Sequence, residues 1–175
     1  MIRLDSERLL YREMDEHDFD AVAGILRDPE VRRIWEQEFP DEEICAWIER
    51  RQRGYRQNGI DYLLAVEKAT GEPIGQVGVL REEIDGQTVW GVGYILRGDC
   101  RGKGYATEGA RRMAAYAFDE LGADRIVCDI RPINAPSLAV ARRLGMTRTG
   151  SFVKMVHGQP MEHLIFTLTP EDFRR

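Results

Sequence analysis

Three strand-like runs joined by turn-length connections lead straight into a glycine-bearing loop and an alanine-striped helix, and this order constrains the fold more than any other feature. Tyr62-Leu63-Leu64-Ala65-Val66 has strand composition, and Ala69-Thr70-Gly71-Glu72-Pro73 reads as a turn. Ile74 to Leu80 is the next run, and Ile84-Asp85-Gly86-Gln87 carries a hairpin signal ahead of Thr88 to Leu96. Short connections make the three runs an antiparallel meander. The helix after the loop is predicted from about Tyr105 to Leu121, with Ala106, Ala110, Ala114, Ala117 and Phe118 along its apolar stripe.

Upstream, Leu9-Leu10-Tyr11 is a short apolar run that opens the sheet. Asp15 can cap a helix bearing Phe19, Val22, Ile25 and Leu26 on one face, and Asp28-Pro29 restarts the chain. Pro40-Asp41 leads into Ile44, Trp47, Ile48 and Arg51 at helical spacing, ending at Asn58-Gly59. Two helices are therefore expected between the first and second strands. Downstream, Ile126 to Ile130 is a strand, and Ser137 to Leu144 is a short helix ended by Gly145. Thr147 to Val156 and Met161 to Leu168 form a closing hairpin around His157-Gly158-Gln159-Pro160. With no repeat or linker, the expectation is one α+β domain over residues 1–175, a mixed twisted sheet of about seven strands flanked by helices.

Composition narrows the partners. A net charge of -5 argues against nucleic-acid binding, which favours a basic face. No apolar run approaches the roughly 20 residues of a membrane span. Cys45, Cys100 and Cys128 are scattered, which suits reduced thiols in a cytoplasmic protein, and neither they nor His17, His157 and His163 have metal-ligand spacing. No metal is expected.

The sharpest local signal is Arg101-Gly102-Lys103-Gly104-Tyr105-Ala106-Thr107, between a strand and a helix. Glycines let successive backbone N–H groups turn inward as an anion-binding nest, and the helix adds unsatisfied donors and the positive end of its dipole. Arg101 and Lys103 supply charge at the rim, while small Ala106 and Thr107 allow close approach. The arrangement suits a pyrophosphate, although read alone it is equally an ordinary glycine-rich connection. Neither a P-loop Gly-Lys-Ser/Thr nor a dinucleotide GxGxxG is present.

At this junction the chain resembles the GNAT N-acetyltransferases, whose hallmark Arg/Gln-x-x-Gly-x-Gly/Ala is matched by Arg101, Gly104 and Ala106. The run from Gly102 to Glu108, with Asn134-Ala135-Pro136-Ser137 and Arg143-Leu144-Gly145-Met146, resembles the RimJ/RimL-like branch that acetylates ribosomal proteins. The resemblance implies acetyl-CoA as cosubstrate, with its pantetheine arm between the strand before the loop and Ile126–Ile130. Gly91 and Gly93 fit such a close approach, or else relieve packing beneath Trp90 and the helices.

By resemblance, Tyr94, Ile95 and Leu96 line the coenzyme, and an amide near Ile95 or Leu96 serves the oxyanion. Asn134 would bond the pantetheine arm and Ser137 would donate to the departing thiolate. No Tyr occurs between Asn134 and Arg175 for that role. Ser137 also reads as a helix cap after Pro136. Val89 to Leu96 holds no carboxylate, so the first candidate base is Glu162, then Glu82, with His163 also considered; taken singly, each reads more readily as a solvated charge at a hairpin end. Trp35, Trp47, Glu82 and Trp90 are the candidate acceptor-binding residues. An α-amine titrates near 7.7–8.0 and lysine near 10.4, so a site without an obvious strong base suits a protein N-terminus better than a lysine side chain. The alternatives are a small-molecule amine, an aminoglycoside or polyamine attracted by Glu36, Glu38, Asp41, Glu42 and Glu43, and a noncatalytic acetyl-CoA sensor. A homodimer is left open.

Overall fold

Eight strands run in the order β1-β2-β3-β4-β5-β6-β8-β7 across one open mixed sheet. The computed structural model describes residues 1–84, 86–156 and 158–175, so Asp85 of the hairpin signal and His157 of the closing turn lie outside the described residues. The strands are β1 (Arg3–Asp5), β2 (Leu9–Arg12), β3 (Tyr62–Glu67), β4 (Pro73–Ile84), β5 (Gln87–Leu96), β6 (Ile126–Ile130), β7 (Thr147–Val156) and β8 (Gln159–Leu168). The expected count of about seven misses β1. It is a three-residue edge strand with charged Arg3 and Asp5 turned to solvent, too short and too polar to announce itself.

Three helices, rather than the expected two, separate β2 from β3: α1 (Phe19–Leu26), α2 (Pro29–Trp35) and α3 (Asp41–Asn58). Pro29 is the cause. It has no N–H to continue α1, but it suits the first turn of a new helix, which Asp28 caps by accepting from the Glu30 amide at 3.0 Å. After β5 come α4 (Tyr105–Asp119), α5 (Ala135–Arg143) and a last turn, α6 (Pro170–Phe173), capped by Thr169. No helix among the described residues is long and apolar enough to cross a membrane.

Strand alternation divides the interior in two. Leu63, Ala65, Val77, Val79, Val92 and Leu96 point to the face covered by α4 and α5, where Met113, Ala114, Ala117 and Val140 complete a core. Tyr62, Leu64, Leu80 and Ile95 point to the other face, beneath Ile25, Ile44, Trp47 and Ile48 of α1 and α3. One discontinuity positions the site. β4 and β5 pair along their length, from Gly75↔Leu96 to Ile84↔Gln87, whereas parallel β5 and β6 meet only at Gly91↔Val127 among the described residues and then diverge.

Candidate active site

The loop after β5 takes the conformation its glycines permit. Gly102 and Gly104 have φ of 76° and 85°, left-handed values that cost a side-chain-bearing residue about 1–2 kcal/mol. Gly104 is the N-cap of α4, and its carbonyl accepts the first helical bond, from Glu108. The amides of Gly102 through Thr107 have no hydrogen-bond partner among the described residues. Free amides at the positive end of a helix of 15 residues make a cradle suited to an anion. Lys103 is exposed beside it, and Thr107 lies in the first turn.

Two residues of the motif behave differently from the sequence expectation. Arg101 is a strut rather than a mobile rim charge. Its Nη2 donates to Asp28 Oδ1 at 2.6 Å and to the Leu96 carbonyl at 3.0 Å. Asp28 also accepts from the Gly98 amide, so the cap of α2 is tied to the loop. Although burial opposes it, this set of donors, Arg101 foremost, holds the Asp28 carboxyl below its usual range. The Tyr105 side chain turns into the main core and its hydroxyl donates to Glu67, which leaves only its amide for the cradle. Sequence reading missed Arg8. Its Nε pairs with Glu108 at 2.7 Å, its Nη1 donates to the Lys103 carbonyl at 2.9 Å, and its guanidinium lies 4.4 Å from the Tyr105 ring centroid. Separated from the loop by 95 residues, it had no local signal.

From the cradle a narrow channel of about 90 Å³ runs past Leu96, Arg101, Ala106, Asn134 and Ser137. Asn134 caps α5, its Oδ1 accepting from the Ser137 amide at 3.2 Å. The capping reading of Ser137 therefore passes to Asn134, and the Ser137 hydroxyl has no partner among the described residues. Tyr94 packs on this side, its hydroxyl donating to the Ser137 carbonyl at 3.2 Å. Burial raises the Tyr94 phenol well above its ordinary pKa. Because the Arg97 amide bonds to Ile74 on β4, ladder alternation turns the Ile95 amide toward β4 and those of Tyr94 and Leu96 toward the split. The thiol of Cys128 donates to the Val92 carbonyl at 3.1 Å where the strands part.

On the opposite sheet face the split opens into a cleft of about 490 Å³. Trp35, Trp47 and Tyr62 form one wall, with the Trp47 centroid 5.5 Å from Trp35 and 5.9 Å from Tyr62. The glycines of β5 have a specific use here. A Cβ on Gly93 would sit 2.2 Å from the Tyr62 hydroxyl, and one on Gly91 would sit 2.6 Å from Glu82 Cγ. Their absence lets the Tyr62 and Glu82 side chains lie across the strand toward the split. Burial, then the nearby charge of Asp129, pushes Glu82 up to about 7; Lys154 and Arg51 oppose the rise.

The other candidate bases, and Trp90, separate by strand parity. Met161 and His163 of β8 face the cleft, and His163 Nδ1 lies 3.1 Å from the Met161 carbonyl. Glu162, between them, is exposed on the opposite face and does not line the cleft. Trp90 alternates with Gly91 and so packs against the α4 side, with Arg81 4.0 Å above its ring, and does not line the cleft. Asp129 and Lys154, absent from the sequence expectations, complete the cleft from β6 and β7.

An acyl-transfer site is the class that an anion cradle, a split sheet and an adjoining polar cleft define. Residues 8–147 match the acetyltransferase (GNAT) domain, and the chain belongs to that family. The protein is 32% identical to YkkB of Bacillus subtilis (strain 168) over 82% of this chain and 84% of that one. Its fold is similar to that of a GNAT acetyltransferase from Bacillus anthracis, with a TM-score of 0.78 and 23% identity over 97% and 99% of the two chains. RimL, described as a ribosomal-protein α-N-acetyltransferase and solved with coenzyme A, superposes with a TM-score of 0.77 at 18% identity over 96% and 98%. The family uses acetyl-CoA, and the free amides of residues 102–107 fit its diphosphate. Among the described residues no group of three or more His, Cys, Asp or Glu could hold a metal ion.

Proposed function

We propose that this enzyme moves the acetyl group of acetyl-CoA to a primary amine by direct attack, the acceptor being a protein N-terminal α-amine. The observation that carries the reading is Glu82. It is the cleft carboxylate with no ion-pair partner among the described residues, and its pKa is raised to about 7. A base of that strength is within about one unit of an α-amine but about three below lysine, so proton transfer from an α-amine is far less uphill. Glu82 therefore replaces Glu162 as the group that accepts the amine proton. Amides of Tyr94 and Leu96, directed into the split, stabilise the oxyanion. Ser137, whose hydroxyl is uncommitted, donates to the thiolate as the thioester opens. The name of RimL agrees with a protein α-amine acceptor.

Four of the five carboxylates that suggested a polyamine are paired in the fold, Glu42 alone having no ion-pair partner among the described residues. Glu36 pairs with Arg131, Glu38 with Arg32, Asp41 with Arg27 and Glu43 with Arg50. The test follows free thiol release from acetyl-CoA with a peptide bearing a free α-amine, the same peptide blocked at its N-terminus but carrying lysine, and spermidine. The free α-amine should be acetylated fastest. Faster acetylation of lysine or spermidine would overturn the acceptor assignment, and tight coenzyme binding without release from any amine would leave a sensor.

A further inference from the structure

The charges lining the cleft are unevenly partnered. Asp61 is held by Arg51 at 3.0 Å and by the Tyr62 amide at 2.6 Å, and Asp129 lies 3.7 Å from Lys154. Glu82 stands among them on the same sheet face. The cations also keep donors free. Arg51 lies over the Trp47 ring, 4.6 Å from its centroid, and gives Nη1 to Asp61, while its Nη2 has no partner among the described residues; its Nε, also unpartnered, is buried and does not face the cleft. Lys154 is half exposed and sits beyond hydrogen-bond reach of Asp129. Arg131 differs, since it is engaged by the Ile34 carbonyl and by Glu36. Two cations with donors to spare thus line the same cleft as one unpaired carboxylate. A guanidinium stacked on an aromatic ring, with its fork part-filled, is suited to a planar carboxylate.

We propose that the acceptor carries a carboxylate beside its reacting amine, with the nitrogen placed at Glu82 and the carboxylate received by Arg51, Lys154 adding charge across the cleft. This rests on the reading of the cleft as the acceptor site. Two sources offer that chemistry: a peptide whose second residue is acidic, in keeping with the protein acceptor, or a free α-amino acid, which would replace that acceptor and whose more basic amine asks more of Glu82. Polycations are disfavoured by the same two side chains.

Two matched pairs distinguish the sources: alanine against alaninamide, and an Ala-Asp-Ala amide against an Ala-Asn-Ala amide. The readout is kcat/KM by thiol release. In at least one pair the anionic member should be preferred about tenfold, with the preference shrinking at high salt. For the first pair this opposes intrinsic reactivity, because the amine of the amide is the less basic and more of it is neutral. Lys154→Met, at a half-exposed position, should reduce the preference to about threefold while acetyl-CoA affinity is unchanged. Arg51→Lys, which keeps the charge but loses the fork, should raise KM for the anionic member with little change in kcat. Equal or better use of the neutral member in both pairs overturns the inference, as does a preference that neither substitution alters. Thiol release without discrimination contradicts this inference alone; no release with any of the four amines contradicts the proposed function as well.

Discussion

Along residues 102–107 the groups proposed to hold the coenzyme are backbone amides, supplied by neighbours in sequence and aimed by two left-handed glycines. Across the cleft, the proposed acceptor site, they are side chains brought from α3, β4, β6 and β7, and their properties come from one another: Glu82 is shifted by burial and by Asp129, with Lys154 and Arg51 opposing. The coenzyme half is thus robust to changes of side chain and fragile to changes of backbone. The acceptor half is the reverse. Only the latter can be retuned one charge at a time, which lets one scaffold serve many amines without rebuilding its coenzyme site.

That contrast can be broken at several points. The largest effect is expected from Gly104→Val, because a β-branched residue will not hold a φ of 85° and the amides after it lose their alignment. Acetyl-CoA affinity, measured calorimetrically, should fall by about a hundredfold, equivalent to ~2.8 kcal/mol. Ser137→Ala should lower kcat by about thirtyfold with little change in coenzyme affinity, and an unaltered kcat removes the hydroxyl from the mechanism. Gly91→Ala sharpens the comparison, since its Cβ would fall 2.6 Å from Glu82 Cγ and displace that side chain. About a tenfold loss in kcat/KM is expected, at unchanged acetyl-CoA affinity.

The smallest expected effect is thermodynamic. Glu82 has a folded-state pKa of about 7, above its unfolded value near 4.5, so the folded chain binds more protons between those values. Its presence therefore costs stability progressively as pH rises from about 4.5 to 7, and the cost levels off above that window. Glu82→Gln should raise Tm relative to the parent by a few degrees at pH 8, with a smaller gain at pH 5. Equal gains at both pH values would show that Glu82 titrates normally.

What could be read from the sequence follows the same division. The meander, α4 and the glycine turn between β5 and α4 were legible because each is set by local periodicity and by glycines whose role is local. The strand β1 was not, since three residues with two charges give no pattern. For the base, sequence position favoured Glu162, but a period of two on β8 turns it to the opposite face from Met161 and His163. Glu82 became prominent only once the fold placed Gly91 beneath it and Asp129 beside it. Trp90 failed for the same reason of parity. Arg8 and Lys154 carry no local mark and gain their places purely by tertiary contact.

The most direct measurement is kcat against pH, with acetyl-CoA and an α-amine peptide both saturating, for the parent enzyme and Glu82→Gln. A unit-slope rise through about pH 7 is expected in the parent, and in the variant a low, flat profile with acetyl-CoA affinity intact. The same rise at the same pH in Glu82→Gln would contradict the assignment of the cleft carboxylate as the group that takes the amine proton.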